Sequence, residues 1–210
     1  MNWLKKAYHI VFKQWGQIVE KELKECENIL DVGCGANSQI QFFKIKRYTV
    51  GIDIDKKSLE KSRDKKIHNK YIHKNILEIN KIFSPKSFDA VIALDVIEHL
   101  KKEQGFQLIK KMEKIAKKKT IIFTPNGFLA QEAYDNNKHQ EHLSGWEIEE
   151  LKERGYKVIG ANGLKFLKTT RGLTKYRPAR FWQVIGDITQ LFVKNHPKYA
   201  FQLVAVKKLK

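Results

Sequence analysis

Seven stretches dominate this chain: NILDV, RYTVGIDID, KYIHKN, SFDAVIALDV, KTIIFT, YKVIGA and YAFQLVAVKK. Several are apolar at consecutive positions, not at alternate ones. A strand that is apolar on both faces must be covered on both faces. Strands alternating with helices meet that need as a parallel sheet with helices on either side. The helices are legible between them. Residues 3–25 carry an apolar stripe through Trp3, Leu4, Ala7, Val11, Trp15, Ile18, Val19 and Leu23, which is helical spacing. A short helix is expected over 39–43 and a polar one in KKSLEKSRDKK. Residues 98–117 are expected to form a longer helix, with Leu100, Phe106, Leu108, Ile109, Met112, Ile115 and Ala116 as its apolar face. SGWEIEELKERG reads as a capped helix, with Ser144 as N-cap, Glu147 three residues on and Gly155 closing it.

Ligands of such sheets bind at the carboxyl ends of the strands, where the strand order reverses. Four polar or glycine-rich ends fall there: the loop GCGANS, Asp53, Asn75 and Asp95. The loop has Gly33 and Gly35, but Ser38 stands where a dinucleotide fingerprint needs its third glycine. The flanking acids choose between ligands. Asp53 follows Gly33 by 20 residues, where a carboxylate accepts from ribose hydroxyls. Asp31 comes two residues before Gly33. It would repel a pyrophosphate, and it suits an ammonium group. The crevice therefore fits a cationic, phosphate-free adenosine ligand better than a dinucleotide.

The 210 residues make one domain with a real core. No apolar run approaches a membrane span, and AVIALDVI is interrupted by Asp95. Two cysteines, Cys26 and Cys34, make no disulfide framework, so a reducing cytoplasm is the expectation. The formal charge of +18 admits nucleic acid or an anionic membrane as partner. It is mostly lysine, however, spread in pairs such as Lys56-Lys57 and Lys101-Lys102. Arginine forks, the usual readers of phosphates and bases, are few.

LDVGCGAN, GIDID, FDAVIALDVIEHL, TPNG and HLSGWEIEELKERGYKVIG together resemble the class I S-adenosylmethionine-dependent methyltransferases. The likeness is greatest to small-molecule enzymes related to those of ubiquinone and menaquinone biosynthesis. It implies a Rossmann-like α/β fold with a seven-stranded sheet, the last strand antiparallel and helices on both faces. It also implies one domain: a cap helix over 1–25, a cofactor-binding core over 26–161, a substrate-capping insertion over 162–198 and the last strand over 199–208. Carried over to this chain, Asp31, Gly33 and Gly35 would hold the methionine part. Asp53 would bind the ribose, with Ile54 beside the adenine. Asn75 and Ile76 would border the adenine, and Leu94 or Asp95 would lie under the sulfonium. The family often has glycine at the position of Asn37, and asparagine tolerates the left-handed conformation such a turn would need.

DVIEHL places Asp95, Glu98 and His99 beside the expected methyl group, and His142 follows in EHLSGW. The set resembles the Glu-x-x-Glu-His pattern of quinone-type and small-RNA 2′-O-methyltransferases. That likeness implies a divalent ion such as Mg2+ on Asp95, Glu98, His99 and His142. Without a metal, His99 or His142 would be a general base, and Glu98 would simply open the helix over 98–117. The insertion mixes aromatic side chains with three of the few arginines, Arg171, Arg177 and Arg180. Its stripe Phe181, Trp182, Ile185, Ile188, Leu191 and Phe192 would pack on the sheet or over the pocket, or else form a basic rim for an anionic substrate, a lipid surface or RNA. Trp3 and Trp15 would form an opposite, greasy wall. The expected activity is methyl transfer to a small or lipid-like acceptor, on oxygen. The alternatives are an RNA methyltransferase and a non-catalytic cofactor-binding scaffold.

Overall fold

In a computed structural model of the protein, residues 14–44, 47–132 and 138–209 are described. The seven strands are β1 (Asn28–Val32), β2 (Tyr48–Asp53), β3 (Lys70–His73), β4 (Phe88–Leu94), β5 (Ala116–Pro125), β6 (Lys157–Leu164) and β7 (Ala200–Lys208). They form one sheet in the order β3-β2-β1-β4-β5-β7-β6. Strands one to five are parallel, and β7 runs antiparallel between β5 and β6. The order reverses between β1 and β4. There Val32 pairs with Ile52 on one side and with Ala93 on the other, so the three strands end level.

Alternate side chains feed two cores. Leu30, Val32, Val91, Ala93 and Ile122 face one side, under α4 (Lys102–Ile115) and α5 (Ile148–Glu153). Ile29, Ala90, Ile92, Ile121 and Phe123 face the other, under α1 (Gln14–Glu22). Trp15 of α1 stacks flat on Phe123, with ring centroids 3.9 Å apart. This is core packing and not an acceptor wall. Trp3 and the stripe through Val11 lie outside the described residues.

Three expectations are corrected. The helix over 98–117 begins only at Lys102; Glu98 and His99 sit in a separate 3-10 turn, Ile97–His99. The Glu98 carbonyl accepts the N–H groups of Leu143 and Ser144, at 2.8 and 3.0 Å, instead of serving a helix. Ser144 is not a helix N-cap. Its hydroxyl donates to the Ile97 carbonyl, and α5 starts at Ile148 with Glu147 as cap. The delay comes from Trp146, which is fully buried and held extended by a bridge to Gly127. Finally, the insertion does not pack its apolar stripe inward. Its helices α6 (Ala179–Ile188) and α7 (Gln190–Val193) lean on β6 through Gly186, Gln190 and Val193. Gln190 donates to the Gly160 carbonyl and accepts from the Gly163 N–H. Phe181, Ile188, Leu191 and Phe192 are left exposed. Between β3 and β4 the chain adds a 3-10 turn, Ile76–Glu78, and the short helix α3 (Ile79–Ile82); α2 (Lys56–Asp64) covers β2 and β3.

Candidate active site

The glycine loop leaves β1 through two left-handed residues, Gly33 at φ +69 and Gly35 at φ +56. That conformation crowds any Cβ and favours glycine. A Cβ on Gly35 would meet nothing within 4 Å. The backbone there borders open space that a ligand can fill. Asn37 is not among the left-handed residues, so it adds no strain to the turn, and its side chain pairs with Lys65. Ser38, at the position of the missing third glycine, ties the loop down by hydrogen bonds. Its hydroxyl donates to Asp31 Oδ2 at 2.5 Å and accepts from the Ile40 N–H, starting the 3-10 turn Gln39–Phe42.

Asp31 has a second partner on the same oxygen, His68 Nε2 at 2.9 Å, in a pair almost wholly out of water. Both bonds fall on Oδ2, so Oδ1 keeps acceptor capacity. Asp53 is tied twice: Gly35 N–H donates to Oδ2 at 2.7 Å and Asp55 N–H to Oδ1 at 2.8 Å. Burial nonetheless pushes the Asp53 carboxyl above its ordinary range, outweighing those two N–H groups. Each of its oxygens keeps acceptor capacity for one more donor, which matches the two hydroxyls of a ribose. Asn75 is spent in part on local structure, its side chain accepting the Leu77 N–H at 2.9 Å. Cys34 is buried, and its thiol is pushed far up by burial and by the flanking acids, so it is no nucleophile.

Three cavities meet here. One of about 1060 Å³ is lined by Asp31, Gly33, Gly35, Ser38 and Leu94. A second, about 290 Å³, is walled by Asp53, Ile54, Asn75, Ile76, Leu77 and Leu100. The third, about 320 Å³, holds Glu98, His99, His142, Lys168 and Arg171. Asp95 lines all three. It sits at φ +55, a strained conformation for a residue with a side chain, just where β4 ends. Its carboxylate accepts from Gln202 Nε2 at 3.0 Å. Solvent reaches Asp95 through the cavities, yet the surrounding protein raises its pKa to about 7 against that hydrogen bond.

Glu98, His99 and His142 come together, with one ligating atom of each within 4.8 Å of the others; Asp95 is not in this group. Glu98 is buried. Thr124 donates to its Oε2 at 3.0 Å, and its Oε1 has no partner among the described residues. Burial, then repulsion from Asp95, holds the Glu98 carboxyl well above the usual range. His99 Nδ1 lies 3.0 Å from the Glu141 carbonyl and His142 Nδ1 lies 2.6 Å from the Leu129 carbonyl. A carbonyl only accepts, so each Nδ1 carries its proton, and each Nε2 presents a lone pair. Burial lowers the pKa of both, His99 to about 4. Two neutral imidazoles beside an orphaned carboxylate oxygen can take a proton or a cation.

Several of these partners escape a sequence reading. His68 comes from the turn after α2 and carries no motif. Gln202 reaches Asp95 from β7, a contact that depends on the strand order. Thr124 does have a signal, since TPNG places it at the carboxyl end of β5. Trp15 is absent from the walls of these cavities.

Residues 30–124 match the family model described as a methyltransferase domain. Among solved structures the fold is similar to a SAM-dependent methyltransferase from Archaeoglobus fulgidus, 18% identical, with 96% of this chain and 100% of that one covered and a TM-score of 0.57. It is similar to magnesium protoporphyrin IX methyltransferase from Synechocystis PCC 6803, 18% identical, with 99% and 85% covered and a TM-score of 0.52. It is also similar to the small RNA methyltransferase HEN1, 17% identical, with 94% of this chain and 25% of that one covered and a TM-score of 0.60. Among the described residues no helix is long and apolar enough to cross a membrane. With its glycine loop, its level strand ends and the match over 30–124, the chain carries a methyltransferase domain over those residues and has the Rossmann-like fold of the S-adenosylmethionine-dependent methyltransferases.

Proposed function

We propose that this enzyme methylates an oxygen of a small or lipid-like acceptor that enters the third cavity. The observation carrying the proposal is the shared wall. Asp95 borders both the cofactor side and the cavity that contains Glu98, His99 and His142. A donor methyl and an acceptor atom would meet there. On this reading Asp31 Oδ1 and the loop at Gly33 and Gly35 take the amino-acid end of the donor. Asp53 takes the ribose, while Ile54, Asn75 and Ile76 border the adenine. Leu94 and Asp95 lie under the sulfonium. When bound, the donor supplies an already activated methyl group, so the protein's task is alignment and exclusion of water. A neutral His99 or His142 is in the right state to receive the acceptor's proton.

Glu98, His99 and His142 would also hold a divalent ion. The fit rests on the unpartnered Glu98 Oε1 and on the two Nδ1 atoms already directed to carbonyls, the usual support of metal-binding imidazoles. One carboxylate and two imidazoles suit Mn2+, Co2+ or Zn2+ better than Mg2+, which prefers oxygen. Such an ion would orient an acceptor hydroxyl and lower its pKa. Asp95 would remain beside the group, on Gln202.

An RNA acceptor is the second reading, favoured by the charge of +18. The two separate in one experiment. The protein is incubated with methyl-labelled S-adenosylmethionine and a cell extract split into organic, small-molecule and RNA fractions. Label in the organic or small-molecule fraction, lost in His142→Ala, supports the proposal. Label confined to RNA, with binding that weakens steeply with salt, overturns it in favour of the second reading. No label in any fraction from protein that binds S-adenosylhomocysteine points to the scaffold.

A further inference from the structure

The helices α6 and α7 present their apolar side to solvent. At 100° per residue Phe181, Val184 and Ile188 fall within about a sixth of the circumference of α6, and Leu191 and Phe192 follow on α7. All five are exposed, Phe181 and Ile188 at 57% and Leu191 at 72%. The opposite side, at Gly186, Gln190 and Val193, is the one against β6. This contact is close: a Cβ on Gly160 would lie 2.0 Å from the Val193 carbonyl oxygen, and one on Gly163 2.3 Å from that of Gly186. Rotating the stripe inward would therefore break a fitted interface. Tyr176 and Tyr199 add exposed aromatic surface to the same segment. A contiguous apolar patch of this kind marks an interaction site.

Charge selects the occupant. Between residues 162 and 198 the chain has eight lysines and arginines and one acid, Asp187. Arg177 and Arg180 adjoin the stripe at the start of α6, and Lys194 and Lys198 follow it. A second copy of the chain would bring the same positive segment, so like charges oppose self-association. RNA would answer the charge but not the stripe, because Val184, Ile188 and Leu191 have no ring on which a base stacks. An anionic membrane answers both: acyl chains cover the aliphatic stripe while basic side chains meet the headgroups. We propose that α6 and α7 form an in-plane anchor that seats the enzyme on an anionic lipid surface. The docking does not rest on the acceptor reading above, although Lys168 and Arg171 of the same segment line the third cavity.

The test is co-sedimentation of the full chain with vesicles of phosphatidylcholine alone and of phosphatidylcholine mixed with phosphatidylglycerol. Wild type is expected to sediment with the mixed vesicles and not with the neutral ones. The doubly exposed variant I188D/L191D is expected to lose at least about tenfold in partitioning, because two apolar side chains no longer enter the lipid. Phe181→Ser is a milder second variant expected to lose several-fold. Titration with S-adenosylhomocysteine checks that both still fold, since neither touches the cofactor side. The proposal is overturned if wild type ignores the mixed vesicles. It is equally overturned if the variants bind them as wild type does, because overall charge alone would then account for binding. Dimers in sedimentation equilibrium that the I188D/L191D variant dissociates would assign the stripe to a second copy instead.

Discussion

Asp53→Ala should weaken binding of S-adenosylhomocysteine by about two to four orders of magnitude. The size follows from the carboxylate's partners. Two of its acceptor sites are filled by the N–H groups of Gly35 and Asp55, one on each oxygen. On the proposed reading, one further site on each oxygen would accept the 2′- and 3′-hydroxyls. A hydrogen bond to a charged group contributes about 1.5–3 kcal/mol. Losing two of them removes about 3–6 kcal/mol, or roughly 10²–10⁴ in Kd. The obvious objection is that alanine also releases Gly35 and loosens the loop. A second ligand settles this. Both proteins are titrated calorimetrically with S-adenosylhomocysteine and with its 2′,3′-dideoxy analogue. If Asp53 binds the ribose, the substitution should hardly change the already weak binding of the dideoxy compound. An equal loss for both ligands would refute the ribose assignment and leave Asp53 as a brace for the loop.

Three further outcomes follow from the packing and the charges. His68→Ala should destabilise the fold by about 1–3 kcal/mol in urea denaturation, because it removes a buried hydrogen-bond partner and leaves Asp31 Oδ2 on Ser38 alone; a loss under about 0.5 kcal/mol would mean that water replaces the imidazole without penalty. Gly105→Ala places a Cβ 2.3 Å from Trp146 Cζ2, and overpacking of about 1–3 kcal/mol should outweigh the roughly 1 kcal/mol of helix propensity gained, so the melting temperature should fall and not rise. Asp89 bridges the Glu27 N–H and Lys118, both at 3.0 Å; burial works against its ionisation, but these donors prevail and hold its pKa below the ordinary 3.8. A depressed folded pKa means stability that is present above the ordinary value and lost as pH falls through the folded one; Asp89→Asn should therefore flatten the acid limb of a stability–pH curve below about pH 4, and an unchanged limb would show that the pair contributes nothing.

Much of this protein is legible in its sequence. Short continuous apolar runs between turns read as strands covered on both faces, and their alternation with helices makes a largely parallel sheet whose ligand ends lie together. Local rules therefore sufficed to bring Gly33, Gly35, Asp53, Asn75 and Asp95 to one edge. Ser38 left the dinucleotide fingerprint half-matched and Asp31 weighed against it, although the actual work of Ser38, holding Asp31, appears only in three dimensions. A local cap does not fix a helix start where a tertiary contact competes with it: Trp146 is pinned by Gly127 and Gly105, so Ser144 serves Ile97 and α5 begins later. Partners from distant strands were out of reach for the same reason. Thr124 on Glu98, Gln202 on Asp95 and His68 on Asp31 are set by strand order and by how side chains fill the space between layers. Helical periodicity could find the stripe from Phe181 to Phe192, but not its direction. Periodicity specifies one apolar side, and only the fit of Gly160 and Gly163 against α6 and α7 decides that this side faces out.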